Sequence, residues 1–87
     1  MSDESLLTFP CEIDIKVIGR RTTSLRATVL GIVRAHCGVV EDSRVRERHS
    51  SEGNYLSMSV TVLAETREQI DAVYRELTAS DQVLMAL

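Results

Sequence analysis

Two adjacent arginines followed by three hydroxyl residues, Arg20-Arg21-Thr22-Thr23-Ser24 directly behind Gly19, form a compact group able to hold an anion. Guanidinium groups grip carboxylates and phosphates with paired charge-assisted hydrogen bonds, and hydroxyls add further donors. Ser24 is also a candidate N-cap, so this loop leads into a helix N-terminus, with its free backbone N–H groups and partial positive charge. Gly19, Arg20, Arg21, Thr22, Thr23 and Ser24 are therefore the expected small-anion site. The alternative for the same residues is a solvated polar loop with an ordinary cap. A second basic group, Arg44, Arg46 and Arg48, recurs at every other residue, which places all three on one side of a strand. It reads either as a docking surface for a protein partner or as charges that keep a sheet edge from pairing with other sheets.

Catalytic and metal chemistry find less support. His36, Cys37, His49 and Cys11 follow no known metal-ligand spacing. Cys37 falls at a helix C-terminus, where the dipole disfavours a thiolate nucleophile. An enzyme of acylphosphatase type needs an arginine after the first strand and an asparagine on the third. Gly19-Arg20 and Asn54 echo that pair, but the glycine-rich remainder of the loop is missing and Asn54 falls in a turn. The expectation is a protein with no catalytic residues, no cofactor and no metal.

The charge is uneven along the chain. The net charge is −3 over 87 residues. Residues 1–14 hold four acids and no base, Lys16 to Arg48 hold eight bases and three acids, and six acids against two arginines follow from Glu52. Overall acidity disfavours non-specific nucleic-acid binding, while the basic middle can attract an anion. A chain of this length forms one domain and buries about 60–65% of its unfolded surface, leaving little room for an enclosed cavity. The first apolar run is Leu6-Leu7 with no basic segment before it, and no stretch approaches the roughly 20 apolar residues of a membrane span. The cytoplasm is the expected location, with the two cysteines reduced.

Residues 11–18 alternate, with Ile13, Ile15 and Val17 on one side and Glu12, Asp14 and Lys16 on the other, and Gly19 is expected to end that strand. A helix from Ser24 to about His36 carries Leu25, Val29, Ile32, Val33 and His36 on one stripe, and Gly38 supplies a left-handed residue beyond it. Ala27, Gly31 and Ala35 form a row of small residues, expected to admit the second helix closely. Strands over 45–50 and 55–64 flank the turn Ser51-Glu52-Gly53-Asn54, with Leu56, Met58, Val60 and Val62 inward. Thr66 and Gln69 form a capping box for a helix carrying Ile70, Val73, Tyr74 and Leu77. Residues 83–87 close the chain as a short strand. Strand, helix, hairpin, helix, strand is an α+β, ferredoxin-like βαββαβ sandwich. Its four-stranded antiparallel sheet has order 4-1-3-2, with two helices on one face and the other face open and polar. Residues 1–8 read as a polar tail before one domain over 9–87. RNA-binding sheets of this fold stack bases on central-strand aromatics, whereas these positions carry Ser57, Ser59 and Thr61.

Phe9-Pro10, Lys16-Val17-Ile18-Gly19, the run Ser50-Ser51-Glu52-Gly53-Asn54-Tyr55-Leu56-Ser57 and the closing Val83-Leu84-Met85-Ala86-Leu87 together resemble the YbeD-like family of small bacterial proteins of unknown function. The Ser-Ser-x-Gly-Asn-Tyr-x-Ser run is the specific element, and the likeness spans residue 9 to the C-terminus. It implies a ferredoxin-like fold similar to ACT regulatory domains and a link to lipoate metabolism, and it supplies no catalytic residues. Relatives often carry a basic residue where this chain has Glu52. With the arginine stripe, Ser51, Gly53, Asn54 and Tyr55 complete the expected partner surface.

These residues point to a non-catalytic regulatory or adaptor domain that binds a small anion or a protein partner, with neither nucleic acid nor membrane. A monomer or weak homodimer is expected. The alternatives are a small acylphosphatase-type hydrolase and a purely structural interaction module.

Overall fold

The chain folds as β1 (Cys11–Arg20), α1 (Leu25–Cys37), β2 (Val45–His49), β3 (Tyr55–Ala64), α2 (Arg67–Ala79) and β4 (Val83–Ala86), with a 3-10 turn, Asp42–Arg44, ahead of β2. The computed structural model describes residues 8–22, 24–50 and 52–87. The strands form one antiparallel sheet in the order β2-β3-β1-β4. That is the 4-1-3-2 order of the ferredoxin-like sandwich read from the opposite edge.

Alternation along the two central strands divides the sheet into its two faces. Ile15 and Val17 of β1 and Leu56, Met58, Val60 and Val62 of β3 are buried on one side. They pack with Leu25, Val29, Leu30 and Val33 of α1 and Val73 and Leu77 of α2 in one cluster, so both helices cover this face. Met58, on a central strand, is fully buried.

The helices owe their positions to different devices. At α2 the Thr66 hydroxyl accepts the Gln69 N–H at 3.2 Å, and the Gln69 amide oxygen accepts the Thr66 N–H, completing the expected capping box. The Gln69 amide nitrogen also donates to the His36 carbonyl at the end of α1, joining the two helices. Gly38 ends α1 with φ +82° and donates to the Arg34 carbonyl.

Two local expectations change. Ala27, Gly31 and Ala35 are exposed, and a methyl group at Gly31 would meet nothing within 4 Å. The buried stripe of α1 runs through Leu25, Val29, Leu30 and Val33 instead, and turns the small row to solvent. Gly19 does not end β1, which continues to Arg20. Gly19 sits where the β1–β4 register shifts, and a Cβ there would lie 2.5 Å from the Gln82 carbonyl oxygen and 2.9 Å from Leu25 Cδ1. Glycine is needed at this position because β4 and α1 both crowd it.

Gly19→Ala should therefore cost about 1–3 kcal/mol, the usual price of overpacking a filled site. Urea denaturation is expected to show a lower midpoint at unchanged slope, and an unchanged midpoint would contradict the close approach of Gln82 and Leu25.

Candidate functional site

The corner between β1 and α1 is a joint to the other end of the chain. The Thr22 and Ser24 hydroxyls both donate to Gln82 Oε1, at 2.8 and 2.7 Å, and Gln82 Nε2 donates to Thr28 Oγ1 at 2.9 Å. The Ser24 side chain makes no capping bond to a helix N–H. The Arg20 N–H donates to the Gln82 carbonyl and the Arg21 N–H to the Asn54 carbonyl. The Gln82 amide oxygen thus stands where the sequence places a bound anion, and it occupies the two described hydroxyls of the loop. Thr23 lies outside the described residues. The Arg20 and Arg21 side chains are exposed, and Arg21 lies against the hairpin tip near Gly53.

The hairpin follows the expected register, with Arg46 opposite Ser59 and Arg48 opposite Ser57. Its tip is held by the Ser50 and Tyr55 backbones, by the Ser50 hydroxyl accepting the Tyr55 N–H, and by Gly53 at φ +78°. Ser51 lies outside the described residues. The three arginines fare differently. Arg44, in the 3-10 turn, pairs with Glu12 at 2.7 Å, and Arg46 lies 3.8 Å from Asp14, to which Thr61 also donates. Both pairs reach across β3 to β1, so acids from the first strand neutralise one end of the arginine stripe. Among the described residues no carboxylate pairs with Arg48.

Beyond Asp14 the open side of β1 continues as Lys16, Ile18 and Arg20, opposite Ser59, Ser57 and Tyr55. Lys16, Ile18, Arg48, His49, Ser50, Tyr55 and Ser57 line a shallow depression of about 490 Å3 on this face. Neither Lys16 nor Arg20 pairs with a carboxylate among the described residues. Met85 of β4 pairs in register with Ile18, and Leu84, Met85 and Leu87 are exposed along that edge. The open face is therefore polar only in part: cations over an apolar floor occupy the end near Arg20, and closed ion pairs occupy the end near Glu12. The alternation Lys16-Ile18-Arg20 was visible in the sequence, but its meeting with Arg48 depends on register.

The remaining reactive groups lie elsewhere. Cys37 is half-buried beside a second depression, of about 510 Å3, whose lining includes Glu12, Val39, Arg44 and Leu63. Burial pushes its thiol up from the ordinary value, away from a thiolate at neutral pH. His36 Nε2 pairs with Glu76 of α2. Among the described residues no three His, Cys, Asp or Glu side chains gather as a metal-holding group. No described helix is long and apolar enough to cross a membrane. The Tyr74 hydroxyl donates to the Leu87 carbonyl at 2.6 Å, and burial pushes that phenol up.

Gln82→Ala should lower stability by about 1 kcal/mol, since its three exposed or half-buried partners regain water in exchange. Exchange of the Thr28 amide, which closes the first turn of α1 on the Ser24 carbonyl, should accelerate with it. Unchanged exchange there would show that Gln82 does not hold the corner.

The chain matches the model of a family described as "Protein of unknown function (DUF493)" over residues 4–87. It is 42% identical over 85 residues to a UPF0250 protein of Paraburkholderia phytofirmans, covering 98% of this chain and 96% of that one. It is 34% identical over 87 residues to a UPF0250 protein of Nitrosomonas europaea, covering both chains completely. The solution structure of protein HP0495 from H. pylori is similar in fold, with a TM-score of 0.77 at 15% identity, covering 100% of this chain and 94% of that one. These matches agree with the YbeD-like resemblance of the hairpin and terminal motifs. The chain belongs to the DUF493 (UPF0250) family of small bacterial proteins of unknown function.

Proposed function

We propose that this protein is a non-catalytic regulatory or adaptor domain that recognises an anionic group, on a small ligand or a protein partner, at the open face of its sheet. One observation carries the reading. Lys16 and Arg48 line one depression without a carboxylate partner among the described residues, while Arg44 and Arg46 a few residues away are ion-paired. Two exposed cations on one depression give it a positive potential, which draws an arriving anion. Tyr55, Ser50 and Ser57 beside them add hydroxyl donors and acceptors. Arg20, one of the two arginines of the β1–α1 corner, adjoins the same cluster through its pairing with Tyr55. An anion at the corner itself competes with Gln82 for Thr22 and Ser24, so we place capture at the sheet-facing end of that group.

The depression suits binding better than turnover. Its cations and hydroxyls orient an anion, and the Ser50 hydroxyl is engaged by the Tyr55 N–H. A general base would have to stand within hydrogen-bond reach of a nucleophile, and among the described residues His49 makes no side-chain hydrogen bond to either serine of the depression. A regulatory role fits a domain of this size, and the family resemblance to proteins linked with lipoate metabolism makes lipoate and octanoate the first carboxylates to try.

Amide proton–nitrogen spectra of the labelled protein, titrated with octanoate, lipoate, phosphate and amino acids, test the reading. Saturable shifts confined to residues 16–20, 48–50 and 55–57 are expected for at least one carboxylate. The absence of saturable shifts there with every anion would overturn anion recognition at this face.

A further inference from the structure

We infer that the open face of β1 and β4 docks an extended, acidic segment of another protein in which acidic, apolar and acidic side chains recur at every second residue. This rests on anion recognition at the open face and names the partner.

The spacing of the groups supports an extended occupant. Lys16 and Arg20 stand on the same side of β1, about 13 Å apart along the strand. Ile18 lies between them, half-buried, and Arg48 stands level with Ile18 two strands away, about 10 Å across the sheet. A single small carboxylate engages one end of this array. An extended segment with carboxylates four residues apart has the same repeat as β1 and meets both Lys16 and Arg20.

The floor between the cations calls for an apolar residue. Ile18 is flanked in register by Met85, which is half-exposed, and Tyr55 lies opposite Arg20. Leu87 exchanges both backbone hydrogen bonds with Lys16 and is exposed as well. Exposed apolar groups ringed by uncompensated like charge mark an interaction surface more than a solvated one. Charge complementarity then selects acids beside the apolar contact.

The opposite end of the face shows the contrast. Exposed Leu63 and Val39 lie there too, but Glu12 and Asp14 already hold Arg44 and Arg46, so neither arginine is left to select an acidic partner. A second copy presenting the same face would set Lys16, Arg20 and Arg48 against themselves. Nucleic acid would find a single aromatic, Tyr55, on the described face of a chain whose net charge is −3.

The test is fluorescence anisotropy with a labelled peptide Gly-Ser-Glu-Thr-Leu-Thr-Glu-Ser-Gly. Saturable binding is expected, weakened at least tenfold in the Lys16→Glu/Arg48→Glu variant and several-fold when serine replaces the central leucine of the peptide. Arg46→Ala, at the closed end, should change it less than twofold. Circular dichroism checks each variant's fold, and Lys16→Gln/Arg48→Gln replaces the charge reversal if that variant unfolds. Equal binding of a peptide with lysine for glutamate, or undiminished binding by the double variant, overturns the proposal. So does tighter binding to phosphatidylserine vesicles or to a single-stranded oligonucleotide than to the acidic peptide. If small carboxylates shift residues 16–20 but the peptide binds no more tightly than free glutamate, the docked segment falls while anion recognition stands. If no anion produces saturable shifts there and the peptide does not bind, both fall.

Discussion

The pairing of β1 between β3 and β4 is the constraint on which the other features depend. Ten consecutive residues, Cys11 to Arg20, pair with Ala64 to Tyr55, and Val17 to Gly19 pair with β4 on the other side. Because side chains alternate across a strand, a slip of one residue would put Glu12, Asp14 and Lys16 where Ile13, Ile15 and Val17 now face the core. Ile13, Ile15, Val17 and Gly19 build the core face, while Glu12, Asp14, Lys16, Ile18 and Arg20 build the open face. The same alternation that closes the hydrophobic core therefore writes the charge pattern of the surface. Gly19 lets this strand continue past the point where Gln82 and Leu25 press on it, and so carries Arg20 onto the sheet.

Along β1 the open face changes character halfway. Its first two acids reach across β3 to Arg44 and Arg46, which are exposed and worth little individually in stability. Their effect is on potential: they cancel the charge at one end, while at the other Lys16, Arg20 and Arg48 have no carboxylate partner among the described residues. A chain of net negative charge thereby presents one positive region. The corner after β1, which has the residue types of an anion loop, spends its described hydroxyls on Gln82 and serves to tie β4 to α1.

Much of this was legible from residues alone where the physics is local. The alternation of Ile13, Ile15 and Val17, the inward run from Leu56 to Val62, and the Thr66–Gln69 capping box are short-range patterns, and each forms as read. The hairpin register followed from the turn residues. The failures involve partners distant in sequence. Gln82 lies some 60 residues from Thr22, so nothing near the corner announces that its hydroxyls are taken. The helical period set Leu25, Val29 and Val33 in one row and Ala27, Gly31 and Ala35 in another, both repeating at four residues, and did not show that the second row faces solvent. The neutralisation of Arg44 and Arg46 and the meeting of Lys16 with Arg48 both require three strands in register. The apolar floor depends further on the register shift that sets Met85 beside Ile18.

Isotope-filtered proton spectra of the methyl-labelled protein, saturated with the acidic peptide, address the open-face docking most directly. Cross-peaks from the peptide leucine to the methyl groups of Ile18 and Met85 are expected. Cross-peaks instead to Val39 and Leu63, at the ion-paired end, would contradict the assignment of the open end of the sheet as the recognition surface.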